Sequence, residues 1–257
     1  MSTNWTTKRF IVTGASSGFG AAIARRLLAE GAHVLAVARR KEKLDELYGD
    51  HPKADYLAGD VTDPAVLEHV SATASNGMFH GLILNAGGPP TGTPMETTMK
   101  QWDEAWKSVM RWKVEWALTL VPLLQKSGYG RVLWIESKSV KEPIPELVLS
   151  NAMRAGVVGF AKSLASKVAP DGVTVNVIAP GSHNTPAIER VIKKRSEDLN
   201  LSEEKIRAQM EASIPVRRMG EAHELASLAC WLLSSESSYV TGQTWSHDGG
   251  AISSLFG

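Results

Sequence analysis

The chain holds one cysteine, Cys230, so no internal disulfide can form. Its neighbours Leu225, Leu228, Trp231 and Leu232 make an apolar helical pattern in which it reads as a small core residue. A strong charge of either sign is also missing. Lysine and arginine total 28 against 27 aspartate and glutamate, a net charge of +1, which excludes the basic field that nucleic acid binding requires. No apolar run approaches the length of a membrane span. Met1-Ser2-Thr3-Asn4-Trp5 carries no charged and then apolar leader pattern. There is no repeat, low-complexity tract or linker. No cluster of His, Cys and carboxylate stands at metal-ligand spacing, so no metal is expected. These absences predict a cytoplasmic protein whose partner is a small-molecule substrate, with no nucleic acid and no membrane.

What is present is a regular alternation. With 257 residues, 43% hydrophobic and 21% charged, the chain suits one large domain over residues 1–257. Near-continuous apolar runs at Arg9–Val12, His33–Ala38, Ala54–Ala58, Leu82–Leu84, Arg131–Ile135, Val173–Ile178 and Thr244–Trp245 read as strands covered on both faces. Amphipathic stretches separate them, at Gly18–Glu30, Lys41–Tyr48, after the Thr62/Asp63-Pro64 cap signal, at Lys100–Lys126 and at Val148–Val168. The order predicts a single doubly wound Rossmann-type α/β domain, a parallel sheet of about seven strands with helices on both faces. Residues 185–215 interrupt the rhythm, being long, highly charged and weakly amphipathic. After a strand's C-terminal end such an insertion is expected to be a substrate lid, with a solvated surface excursion as the competing reading.

Thr13-Gly14-Ala15-Ser16-Ser17-Gly18-Phe19-Gly20 follows the first strand and opens the first helix. In that context Gly14 permits a tight turn, Gly18 lets backbone approach a pyrophosphate, and Gly20 allows close helix packing. Ser16, Ser17 and Phe19 complete the cradle, and the helix N-terminus offers free N–H groups to phosphate. The spacing is Gly-x-x-x-Gly-x-Gly, and with it the chain resembles the short-chain dehydrogenase/reductase family over essentially its whole length. Further motifs follow in that family's order. Asp60-Val61 matches the pair that contacts adenine, and Asn85-Ala86-Gly87 the family's Asn-Ala-Gly. Pro180-Gly181, with His183 and Thr185 just beyond, matches the segment that holds the nicotinamide carboxamide. Thr241-Gly242-Gln243 and Asp248-Gly249-Gly250 match the C-terminal signature.

An enzyme of this fold specific for NAD offers a carboxylate to the ribose 2′-hydroxyl at the end of the second strand. Here that position is Ala38, followed by Arg39 and Arg40. Guanidinium groups pair with a 2′-phosphate, so the expected cofactor is NADP(H). The two arginines also suit the start of a solvated charged helix.

The resemblance implies a catalytic set of Asn, Ser, Tyr and Lys, and here the chain departs from it. Counting without gaps, Ser137 keeps the serine, but Val109 stands for the asparagine, Ser150 for the tyrosine and Arg154 for the lysine. A serine hydroxyl is a far weaker acid than a phenol, and a guanidinium stays charged and cannot act as a base. Arg154 remains able to hold ribose or an anionic substrate. Three readings stay open. The first is a reductase whose proton comes from another group, with Lys141 favoured over Lys138 because of the loop it sits in, or with His183, which titrates near neutrality unaided. The second is isomerisation or non-redox chemistry in the same pocket. The third is a cofactor-binding scaffold or sensor with little or no catalysis. Intact phosphate, adenine and carboxamide segments favour a redox or sensing role. On the long helix, Trp102, Trp106, Trp112 and Trp116 form an apolar stripe with Val109 and Leu120. Relatives pair this helix across an interface, which implies a homodimer or homotetramer.

Overall fold

The computed structural model describes residues 3–255. Strands β1 (Arg9–Thr13), β2 (His33–Ala38), β3 (Ala54–Ala58), β4 (Gly81–Leu84), β5 (Gly130–Ile135) and β6 (Val173–Pro180) alternate with helices α1 (Gly18–Ala29), α2 (Lys41–Tyr48), α3 (Pro64–Ser75), α4 (Met99–Ala105), α5 (Trp112–Gln125) and α6 (Val148–Val168). Then come β7 (His183–Asn184), α7 (Pro186–Leu199), α8 (Glu203–Ala212), β8 (Gly220–Glu221), α9 (Ala222–Leu233) and β9 (Thr244–His247). Seven strands form one parallel sheet in the order β3-β2-β1-β4-β5-β6-β9. This is the doubly wound architecture that the alternation predicts. The chain first winds outward to β3 and then crosses back to β4. The order therefore reverses between β1 and β4, and a crevice opens outside their C-terminal ends.

Side chains alternate across each strand, so the central strands feed two cores. On β1, Phe10 and Val12 join one core with Ile23, Leu27 and Leu225, whereas Ile11 joins the other with Trp112, Trp116 and Val157. On β5, Leu133 and Ile135 face the first core, and Val132 and Trp134 the second. That parity aims the next residue, Glu136, at the side of the sheet covered by α5 and α6. The Asp63-Pro64 signal starts α3 as expected: the Asp63 carboxylate accepts from the Ala65 N–H at 2.9 Å.

Two segments differ from the sequence expectation. The long helix is not continuous, because a π-helical turn over Trp106–Arg111 separates α4 from α5. The wider turn rotates the two halves against each other. Val109, Trp112 and Trp116 are buried, while Trp106 leaves the stripe and is exposed. Residues 185–215 contain α7 and α8, which close on a small cluster of Ile192, Ile206, Ile214 and Met219. Their apolar face is narrow and the surrounding charges hide it in a composition scan.

Trp116 is fully buried, meets Trp112 edge-on and donates from Nε1 to the Val61 carbonyl at 3.0 Å. Trp116→Ala is expected to lower unfolding stability by about 3–5 kcal/mol, read as a shift in the urea midpoint.

Candidate active site

The glycine-rich turn occupies the crevice between β1 and β4. Gly14 and Gly18 adopt φ of 63° and 55°, left-handed values that favour glycine. A Cβ on Gly14 would stand 2.6 Å from Asn85, and one on Gly20 would collide with the Gly14 carbonyl oxygen. A Cβ on Gly18 would meet only Thr185, at 3.8 Å. The Gly18 face is therefore open, and Thr185 of the carboxamide segment lies across from it. Ser17 caps α1 without a side-chain hydrogen bond, which leaves the helix N–H groups free for an anion. Residues that the sequence did not single out hold the turn in place. Tyr48 donates from its hydroxyl to the Ala15 carbonyl at 2.7 Å. The Thr13 hydroxyl donates to the Asn85 carbonyl at 2.9 Å and accepts from the Asn85 N–H at 2.8 Å, which fixes Asn85-Ala86-Gly87 beside the turn.

Ala38 ends β2 opposite Ala58, so no carboxylate stands there. The two arginines divide. Arg40 lays its guanidinium on Ser16, with Nη2 donating to the carbonyl and to the hydroxyl at 3.0 Å each. Arg39 points into solvent and lies 3.9 Å from Asp60. Burial opposes the Asp60 charge, but hydrogen bonds from Thr62, with Arg39 nearby, hold its carboxyl below the usual range. The Val61 carbonyl is tied to Trp116.

At the other end of the crevice, Gly181 passes so close to Asp248 that a Cβ would lie 2.8 Å away. His183 lies edge-on to Phe19, with ring centroids 5.0 Å apart. Its Nδ1 bonds the Gly181 carbonyl at 3.1 Å, and its Nε2 pairs with His247 Nδ1 at 2.8 Å. Burial lowers the His183 pKa. The expectation that it titrates unaided near neutrality is corrected: the ring is buried, shifted toward the neutral form and engaged at both nitrogens. Lys141 lines a pocket with Tyr239, Thr244, Trp245 and Ser246. Burial lowers its pKa while Asp248 opposes the shift. Lys138 opens the short 3-10 turn that ends at Lys141.

The structure joins Ser150 and Arg154 to two residues that sequence reasoning missed. Arg154 Nε donates to the Ser150 hydroxyl at 2.9 Å, and Nη1 donates to Glu136 Oε2 at 2.9 Å. The other carboxylate oxygen, Oε1, accepts from the Lys113 ammonium. All four residues are buried. Burial pushes the Lys113 pKa down to about 8, against the pull of Glu136 and with the help of Arg154. Two signals in the sequence pointed here. Lys113 interrupts the apolar Trp112–Trp116 stripe, and Glu136 carries on the inward parity of Val132 and Trp134. Ser137 is half-buried and accepts from the Ser139 N–H at 3.2 Å. Val109 is buried and offers no polar atom. The remaining Arg154 nitrogen, Nη2, faces Gly88, whose Cβ would lie 3.3 Å from it, and a Cβ on Gly87 would meet nothing within 4 Å. Gly87 and Gly88 are both exposed, so the backbone that Arg154 Nη2 faces borders solvent. Among the described residues, no group of three or more His, Cys, Asp or Glu is arranged to hold a metal ion.

Removing the carboxylate from a buried cluster leaves its cations uncompensated. Glu136→Gln is expected to cost about 3–5 kcal/mol in urea unfolding. The apolar triple substitution Lys113→Met, Glu136→Leu, Arg154→Met is expected to recover most of that loss. A cost for the single variant below about 1 kcal/mol would contradict the cluster as one coupled unit.

Comparison with known proteins agrees with this fold. A family model described as enoyl-(acyl carrier protein) reductase matches residues 14–251. The 3-oxoacyl-(acyl-carrier-protein) reductase of Escherichia coli strain K12 is 33% identical over 260 residues, covering 96% of this chain and 98% of that protein. The L-sorbose reductase of Gluconobacter frateurii, solved with NADPH and L-sorbose, superposes with a TM-score of 0.92 at 28% identity, covering 99% of this chain and all of that one. An NADPH-bound short chain oxidoreductase from Pseudomonas aeruginosa PAO1, described as containing an atypical catalytic center, gives 0.88 at 27% identity, covering 98% and 100%. No described helix is long and apolar enough to cross a membrane. The fold, the glycine turn and these matches together place the chain in the short-chain dehydrogenase/reductase family.

Proposed function

We propose that the chain is an NADP(H)-dependent oxidoreductase that moves hydride between the nicotinamide and a carbonyl or alcohol carbon of a small molecule. The observation that carries this reading is the phosphate turn. Gly14 and Gly20 are packed where no side chain fits, Gly18 is open, and Arg40 is docked on Ser16 where a carboxylate is absent. The residues fit the cofactor: the turn takes the pyrophosphate, and Arg40 takes the 2′-phosphate, with Arg39 close by. Asp60 and Val61 border the adenine. Asn85, Ala86 and Gly87, with Pro180, Gly181, His183 and Thr185, border the nicotinamide riboside.

NADPH, when bound, supplies the hydride. The chain supplies the rest. Arg154 Nε–H donates to Ser150 Oγ, so the Ser150 hydroxyl proton is left free for another partner. Ser150 and Ser137 together present hydroxyls to the substrate oxygen. The fixed positive charge of Arg154 then stabilises the oxyanion as it develops, a role that a phenol fills by giving up its proton. Lys141, which lies with Asp248 and the β9 residues, stands outside this set of three. A second reading, a catalytically silent NADP(H)-binding oligomer, is favoured by the loss of the phenol at position 150. α7 and α8 serve as the lid, and α4 and α5, with Trp106 and Leu118 exposed, serve as the face for a homodimer or homotetramer.

One experiment separates the readings and a second tests the cofactor. NADPH consumption, followed by absorbance with a panel of aldehydes and ketones, is expected to show turnover; tight NADPH binding with no turnover across the panel favours the silent oligomer. Calorimetric titration is expected to show NADPH preferred over NADH. Arg40→Ala is expected to weaken NADPH by about tenfold or more and to leave NADH unchanged. Equal weakening of both cofactors would contradict a 2′-phosphate role for Arg40.

A further inference from the structure

Beneath the reacting end the charges do not cancel. The side chains of Lys113 and Glu136 are essentially inaccessible, and that of Arg154 is 8% exposed. Both oxygens of the Glu136 carboxylate are taken, one by each cation. The charges acting on Lys113 are those of Glu136 and Arg154. Two cations therefore share one anion, and a buried positive charge is left over. A surplus charge in a desolvated site calls for a counter-ion.

Arg154 is the one member of the cluster with an arm to spare. Nε is on Ser150 and Nη1 on Glu136, whereas Nη2 has no hydrogen-bond partner among the described residues. It faces Gly88, and the Gly87-Gly88 backbone there borders solvent. Glu136 holds the guanidinium in this pose, so its free N–H groups are already aimed when a ligand arrives.

We propose that Arg154 Nη2 is a carboxylate subsite, and that the substrate is a small oxo acid whose carboxylate binds there while its carbonyl meets Ser137 and Ser150. The inference rests on the oxidoreductase reading above and names its substrate class. The neutral nicotinamide ribose would leave the surplus charge uncompensated, and the cofactor's phosphates belong at the glycine turn. In the reductive direction, hydride adds to the oxo carbon and the carbon–oxygen π pair moves to oxygen. That oxygen takes the Ser150 proton, which solvent replaces. The hydroxy acid leaves with its carboxylate unchanged, and NADP+ is the oxidised product. Lys113 touches no substrate in this scheme. It is a positioning residue that sets the charge of the subsite.

The test uses oxamate as the probe and its neutral ethyl ester as the control, titrated calorimetrically into the free and the NADP+-loaded protein. Oxamate is expected to bind the loaded protein at least about tenfold tighter than the ester. Its affinity is expected to fall as pH rises through about 8, where Lys113 loses its proton and the surplus charge disappears. Lys113→Met is expected to weaken oxamate to the same degree at neutral pH and to abolish the pH dependence. Lys113→Arg is expected to keep tight binding above that pH. Should the methionine variant fail to fold, the comparison of oxamate with its ester on the unaltered protein decides. Equal affinity for oxamate and ester, pH-independent binding, or displacement of oxamate by NADP+ would overturn the proposal; the last would give Nη2 to the ribose. Failure of NADP+ to bind brings down the oxidoreductase reading separately, since the free protein still reports the subsite.

Discussion

The candidate site depends on one carboxylate. Glu136 takes the Lys113 ammonium on one oxygen and the Arg154 guanidinium on the other, under a sheet and two helices that exclude water. Without it, two buried cations would face each other with no anion between them. With it, Arg154 is pinned and its Nε donates to the Ser150 hydroxyl. Buried ion pairs are weak evidence for stability, because apolar residues of similar size commonly do as well or better. The cluster therefore makes more sense as a means of holding charge in a defined place, as the proposed reaction requires.

The two ends of the crevice follow different logics. At the glycine turn, function is written in backbone: positive φ, no room for Cβ and an uncapped helix N-terminus. Tyr48 and Thr13 hold that backbone from beneath. At the reacting end, function is written in side-chain charge, and the fold contributes direction. Strand parity aims Glu136 inward, and the helical spacing of Ser150 and Arg154, four residues apart, lets one contact the other. The same α/β scaffold can thus keep its cofactor end and change its chemistry at the other.

Much of this was legible in the sequence. The strands, their order as a doubly wound sheet and the glycine turn followed from period, position and turn chemistry. Counting along the motif puts Ser150 and Arg154 where the family pattern carries a phenol and an amine, and the proposed chemistry rests on that count. What composition and spacing could not supply was the pairing of residues distant along the chain. Lys113 and Glu136 lie 23 residues apart and meet only because β5 and α5 pack together. Arg39 and Arg40 looked alike in sequence, but local backbone direction sends one to Ser16 and the other to solvent. His183 looked like a free titrating group until packing against Phe19 and His247 placed it in a buried pair. The helices within residues 185–215 were hidden because so few apolar residues hold them together.

The central claim is that a site without the phenol still passes hydride from NADPH to a substrate carbon. The most direct measurement is a single-turnover reaction of the protein with stereospecifically 4-deuterated NADPH and a carbonyl substrate, with mass analysis of the alcohol formed. The account predicts deuterium on the new carbinol carbon. Oxidation of the nicotinamide without label in the product, or no oxidation with cofactor bound, would contradict it.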